Sequence, residues 1–140
     1  MQYSVIDIAT GRILRFGECQ QEMLGEQAGD VVGEKVIVGA YSDLTHYAPD
    51  LDAASPVVAD VDATPRPELP ALVSRTTIQA DGVDAAVITG LPVPCAFMID
   101  GEAHETTDGT IEVTATVAGA YVVAIDAWPF LPWQTVVTAR

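Results

Sequence analysis

Basic residues are scarce. The 140-residue chain carries 6 Lys and Arg against 20 Asp and Glu, for a formal net charge of −14, and Lys35 is its lone lysine. A sequence-independent grip on nucleic acid needs a basic face, which this composition does not offer. Electrostatic docking on an anionic membrane is excluded on the same ground. Long apolar runs are also missing: none approaches the roughly 18 residues that span a bilayer, so no membrane insertion is expected. The opening MQYSVIDIATGR has no charged n-region and no long apolar stretch, so no secretory signal peptide is expected. Two cysteines, Cys19 and Cys95, cannot make a disulfide scaffold.

What is present is apolar, β-forming and heavily punctuated. Hydrophobic residues make up 49% of the chain, which excludes disorder by composition. Ala, Val and Thr dominate, and 11 Gly and 9 Pro fall between short apolar runs. Val and Thr favour strands, and turns at this spacing are the rhythm of an all-β protein. The acids are spread evenly, so there is no acidic tail, and their plain role is a solvated surface.

The first half begins with a hairpin: Tyr3 to Ile8, a turn at Ala9-Thr10-Gly11, and a return through Arg12 to Gly17. Residues 19–28 hold the single helix candidate, one or two turns long. Cys19, Met23 and Gln27 or Ala28 share a face there, and Gly25 weakens the middle. Val31-Val32 and Val36-Ile37-Val38 flank Gly33-Glu34-Lys35 as a second hairpin or one bulged strand. Prolines at 49, 56, 65, 67 and 70 break the next stretch, with one short strand around Val57, Val58 and Val61. About 48–71 therefore reads as a proline-rich connector, and the domain boundary is placed near 71. From 72 the pattern sharpens into seven strands: 73–79, 85–89, 95–99, 103–106, 110–117, 121–127 and 134–139. Seven short strands in 72–140 predict an immunoglobulin-like β-sandwich without the Cys…Trp…Cys pattern of antibody domains.

Motifs that carry chemistry are absent. Two Cys and two His (His46 and His104), with no CxxC and no HxxxH, do not meet the ligand rule for zinc. Asp50, Asp52, Asp60 and Asp62 invite calcium, but they lack the compact loop that supplies six to eight oxygens, and a solvated segment is the simpler reading. There is no G-x-S-x-G elbow and no Gly-rich phosphate loop. Cys95 sits in an apolar strand and reads as a buried structural thiol; Cys19 lies beside Glu18 and Glu22, which oppose thiolate formation. No catalytic residue, cofactor or metal ligand is assigned. The strongest local feature is Trp128, Phe130 and Trp133, spaced by prolines. Exposed, they would form a binding surface that stacks on a glycan or docks on a partner; buried, they would plug the end of the sandwich core.

The chain as a whole resembles small tail-associated proteins of bacteriophages and prophages. The resemblance is carried by the opening Tyr3-x-x-Ile6-Asp7-x-x-Thr10-Gly11-x-Ile13, then Gly17-Glu18-Cys19, Thr45-His46-Tyr47 and Arg66-Pro67-Glu68-Leu69-Pro70. In the second half it continues through Ala80-Asp81-Gly82-Val83-Asp84, Thr89-Gly90-Leu91-Pro92, Asp108-Gly109-Thr110, Gly119-Ala120-Tyr121 and Ala127-Trp128-Pro129. The resemblance implies a non-enzymatic structural component of the virion, made in the host cytoplasm and attached near the tail tip or fibre. Residues 1–71 would anchor it to other tail proteins of the tip, fibre or baseplate. Residues 72–140 would project as an immunoglobulin-like module, with several copies in three- or six-fold symmetry. The alternative is a receptor- or glycan-binding adhesion module of the virion that contacts the host surface.

Overall fold

A computed structural model describes residues 1–28 and 33–140. Strand accounts for 43% of it and a single helix for 5%, so the fold is all-β. The chain forms two compact units, Met1–Arg66 and Pro67–Arg140. The segment expected as a connector carries core residues of both: Leu51 and Ala59 are buried in the first unit, and Leu69 is buried in the second.

The first unit contains β1 (Gln2–Asp7), β2 (Arg12–Glu18), a 3-10 helix (Gln21–Gln27), β3 (Glu34–Val38), β4 (His46–Tyr47), β5 (Val58–Ala59) and β6 (Thr64–Pro65). The expected hairpin forms because Asp7 closes its turn. Its carboxylate accepts from the Ala9 amide at 3.2 Å and the Thr10 hydroxyl at 3.0 Å, while Gly11 takes φ 74°. β1 then sits between β2 and β3, both antiparallel, and β5 adds to β3 in parallel.

Both faces of this sheet are covered. Val5 and Val36 pack on one face under Leu24 of the 3-10 helix, whereas Ile6, Ile13 and Ile37 pack on the other with Ala48, Leu51 and Ala59. Each fully buried aliphatic side chain contributes about 1.5–3 kcal/mol. Ser4 is buried with them, and its hydroxyl donates to the Gly39 carbonyl at 2.7 Å and accepts from the Tyr41 amide at 3.0 Å. The helix differs from expectation in its buried face. Leu24 is the residue covered, flanked by Cys19 and Ala28, and Met23 is exposed. The i, i+4 stripe assumed α geometry; the tighter 3-10 winding aligns residues three apart. Val31 and Val32 lie outside the described residues, and Val36 to Val38 belong to β3.

The second unit contains β7 (Leu72–Val73), β8 (Thr77–Ile78), β9 (Ala86–Thr89), β10 (Cys95–Ile99), β11 (Glu102–Thr106), β12 (Ile111–Val113), β13 (Gly119–Ile125) and β14 (Trp133–Ala139). β12, β9 and β7 make one sheet; β11, β10, β13, β14 and β8 make the other. One core lies between them, built from Ile78, Ala86, Ile88, Cys95, Ile111, Val113, Val123, Ile125 and Val137. The distribution of strands between two sheets is that of an immunoglobulin-like sandwich.

Two expected strands are cut short. The strand read as 73–79 is broken, with β7 in the small sheet and β8 paired in parallel with β14 in the large one. Ser74 holds the first piece, its amide donating to the Val87 carbonyl and its hydroxyl accepting from the Val87 amide. The strand read as 110–117 ends as a ladder at Val113. Ala115 remains buried, but Val117 is exposed rather than on the core face. Gly90 marks a close crossing in this unit, at φ 80°, where a Cβ would stand 2.3 Å from the Pro70 carbonyl oxygen.

Candidate functional site

The aromatic triad lies at the β13–β14 connection. Trp128 and Phe130 belong to the turn, Trp133 opens β14 opposite Ile125, and all three are half-buried. Phe130 and Trp133 pack against the sandwich core. They therefore have a structural role in the core margin and do not stand out together as a free stacking platform. Trp133 does reach two depressions. One, of about 500 Å³, is lined by Phe97, Met98, His104, Ala124 and Asp126 among others; the second, of about 440 Å³, lies between Glu68, Leu69, Ala71, Leu131 and Pro132. Neither Trp128 nor Phe130 lines either of them.

The larger depression is a feature of the outer face of the five-stranded sheet. Register places Ala103 beside Met98, Met98 beside Ala124, and Ala124 beside Gln134, a single row across β11, β10, β13 and β14. Three small or flexible side chains in that row leave a shallow apolar trough. Beyond its end Val122 pairs with Val136, and both are exposed. Glu105 lies opposite Ala96, and Asp126 lines the trough directly. At the sheet edge the rings of Phe97 and His104 stack, with centroids 5.3 Å apart and an interplanar angle of 20°.

The remaining titratable candidates have structural partners. His46 packs against Tyr41 with ring centroids 5.2 Å apart and planes tilted by 45°, and its Nδ1 lies 2.8 Å from the Thr45 hydroxyl. Cys95 is buried, and desolvation pushes its thiol pKa up, away from reactivity. Asp52 accepts from the Ala54 and Ser55 amides and so closes its own turn. Asp81 and Asp108 have lowered pKa values for the same kind of reason. Asp81 accepts from the Asp84 and Val83 amides, and Asp108 accepts from the Thr106 hydroxyl and the Thr110 amide. Among the described residues no group of three His, Cys, Asp or Glu side chains converges to hold a metal ion.

One residue that sequence reasoning passed over is Tyr121. Its hydroxyl donates to the Val117 carbonyl at 2.6 Å, near the start of β13. This is the tyrosine-corner arrangement of immunoglobulin-like sandwiches. The step Gly119-Ala120-Tyr121 was its signal. No protein-family model matches this chain, and neither the curated proteins nor the solved structures contain a match to it.

Proposed function

We propose that this chain is a non-enzymatic structural component of a bacteriophage tail. The first unit grips neighbouring tail proteins and the immunoglobulin-like unit projects from them. The observation that carries this reading is the open edge of the first unit. Among the described residues β2 has β1 as its sole strand neighbour, and it exposes Leu14 and Phe16, with Phe16 57% accessible. Exposed strand edges with apolar side chains pair readily with another chain. Asp43 protects the start of that edge by accepting from the Ile13 amide at 2.9 Å and pairing with Arg12 at 3.1 Å, which leaves Leu14 to Gly17 as the stretch for a partner. The resemblance of the opening hairpin to phage tail proteins gives the partner its class.

Antibody labelling of virions from the source lysate tests the assignment. Label concentrated at the tail end is the expected result. Particles that carry no label, with the protein recovered only in the soluble fraction, would overturn it. A Phe16→Asp variant that still folds is expected to be lost from assembled particles.

A further inference from the structure

The trough on the five-stranded sheet has a chemistry of its own. Its floor is Ala96, Ala103 and Ala124, its exposed apolar side chain is Met98, and Asp126 lines it with Glu105 on the same face beside Ala96. Among the described residues no Lys or Arg lines it, and His104, stacked on Phe97, is its one imidazole. The second unit carries Arg75 and Arg140 as its Lys and Arg complement, with His104 as its one histidine, and Arg75 is held by Asp84 at 2.9 Å. The trough also reaches β11, which has one strand neighbour among the described residues and so an edge open to them beside Ala103.

We infer that this face docks an extended polypeptide segment of a partner protein that turns apolar side chains to the sheet and carries lysine or arginine at its end. A strand turns every second side chain to the face it lies on, so the apolar side chains at those positions would lie along the alanine floor. The cations at its end would reach Glu105 and Asp126. Charge decides the occupant. A second copy of this chain would bring Glu105 and Asp126 against their own equivalents, between molecules of net charge −14. A basic segment meets the same carboxylates favourably. The surface is separate from the β2 edge and does not rest on the virion assignment.

The test is titration of the full-length, isotope-labelled chain with an eight-residue peptide, six residues of alternating valine and threonine ended by two lysines, read by NMR. Saturable shifts at Ala96, Met98, Ala103 and Ala124 are expected, with a lysine–serine peptide, in which serine replaces every valine and threonine, binding about tenfold more weakly. Ala124→Arg fills the trough and offsets one of its two carboxylates, and is expected to abolish those shifts. Ala103→Arg, on the exposed edge strand, gives the same readout should the first variant fail to fold. Equal binding of the lysine–serine peptide, with shifts spread over all acidic residues, would overturn the proposal. So would concentration-dependent shifts at the same four residues without peptide, which would make a second copy the occupant.

Discussion

At the scale of single residues, two kinds of hydrogen bond shape the second unit. The Tyr121 hydroxyl ties β13 to the loop before it, and Asp81 and Asp108 tie off two turns. Tyr121→Phe removes one bond and leaves the ring, so it is expected to destabilise the unit by about 1 kcal/mol. Urea unfolding followed by tryptophan fluorescence measures this cleanly, because both tryptophans, Trp128 and Trp133, lie in the second unit. An unchanged midpoint would show that the corner adds nothing here. The aspartates set the acid response. Asp108 has a folded pKa below its ordinary value because the Thr106 hydroxyl and the Thr110 amide donate to its charged form. Its contribution is therefore present above the unfolded carboxylate value of about 4 and is lost as pH falls through the folded value. Asp108→Asn removes that linkage. The variant's urea midpoint is expected to fall less steeply than the parent's on acidification below about pH 4, and parallel curves would exclude the role.

At the scale of elements, the 3-10 helix is the most exposed to test. Leu24 is its single buried residue and closes the face formed by Val5 and Val36. Leu24→Ala is expected to cost about 2–4 kcal/mol and to raise hydrogen exchange at β1 and β3. Exchange confined to the helix itself would show that it does not brace the sheet. This helix also shows where sequence reading stops. Its position was legible from 19–28, but its buried face was not, because the pattern does not separate 3-10 from α winding. The β1–β2 hairpin makes the same point. Its turn was legible from Asp7, Thr10 and Gly11. The register shift that leaves Leu14 without a partner was not, and it is this shift that sets Ile13 opposite Ile6 while Arg15 meets Val5. The clean strands 85–89, 95–99 and 134–139 were placed within about a residue or two because each is bounded by Gly, Pro or a tight turn. The break between β7 and β8 escaped notice because sheet switching depends on partners distant in the chain. Of the aromatic triad, Trp133 alone reaches the trough; Met98, Ala103 and Ala124 were invisible as a group, since cross-strand register brought them together.

At the scale of the whole molecule, the excess of acid opposes compaction. Three arginines form short ion pairs, Arg12 with Asp43, Arg15 with Glu34 and Arg75 with Asp84, and each pair is partly exposed. Such pairs contribute little individually. The carboxylates left over repel one another across both units, and repulsion within a chain of net charge −14 destabilises the folded state relative to the expanded one. Salt weakens both effects, so its sign reports which is larger. Raising sodium chloride from about 10 mM to about 0.5 M shortens the screening length from roughly 30 Å to about 4 Å, which removes the many long-range repulsions before it removes contacts near 3 Å. The melting temperature is therefore expected to rise by a few degrees over that range. A fall would mean that the three arginine pairs outweigh the general repulsion, and Arg75→Gln would then reproduce much of that fall in the second unit at low salt. The same screening acts in the opposite direction on a basic partner. A cationic segment held by Glu105 and Asp126 should weaken over the salt range in which the isolated chain grows more stable, so opposite salt slopes for binding and folding identify docking driven by the charge that folding must overcome.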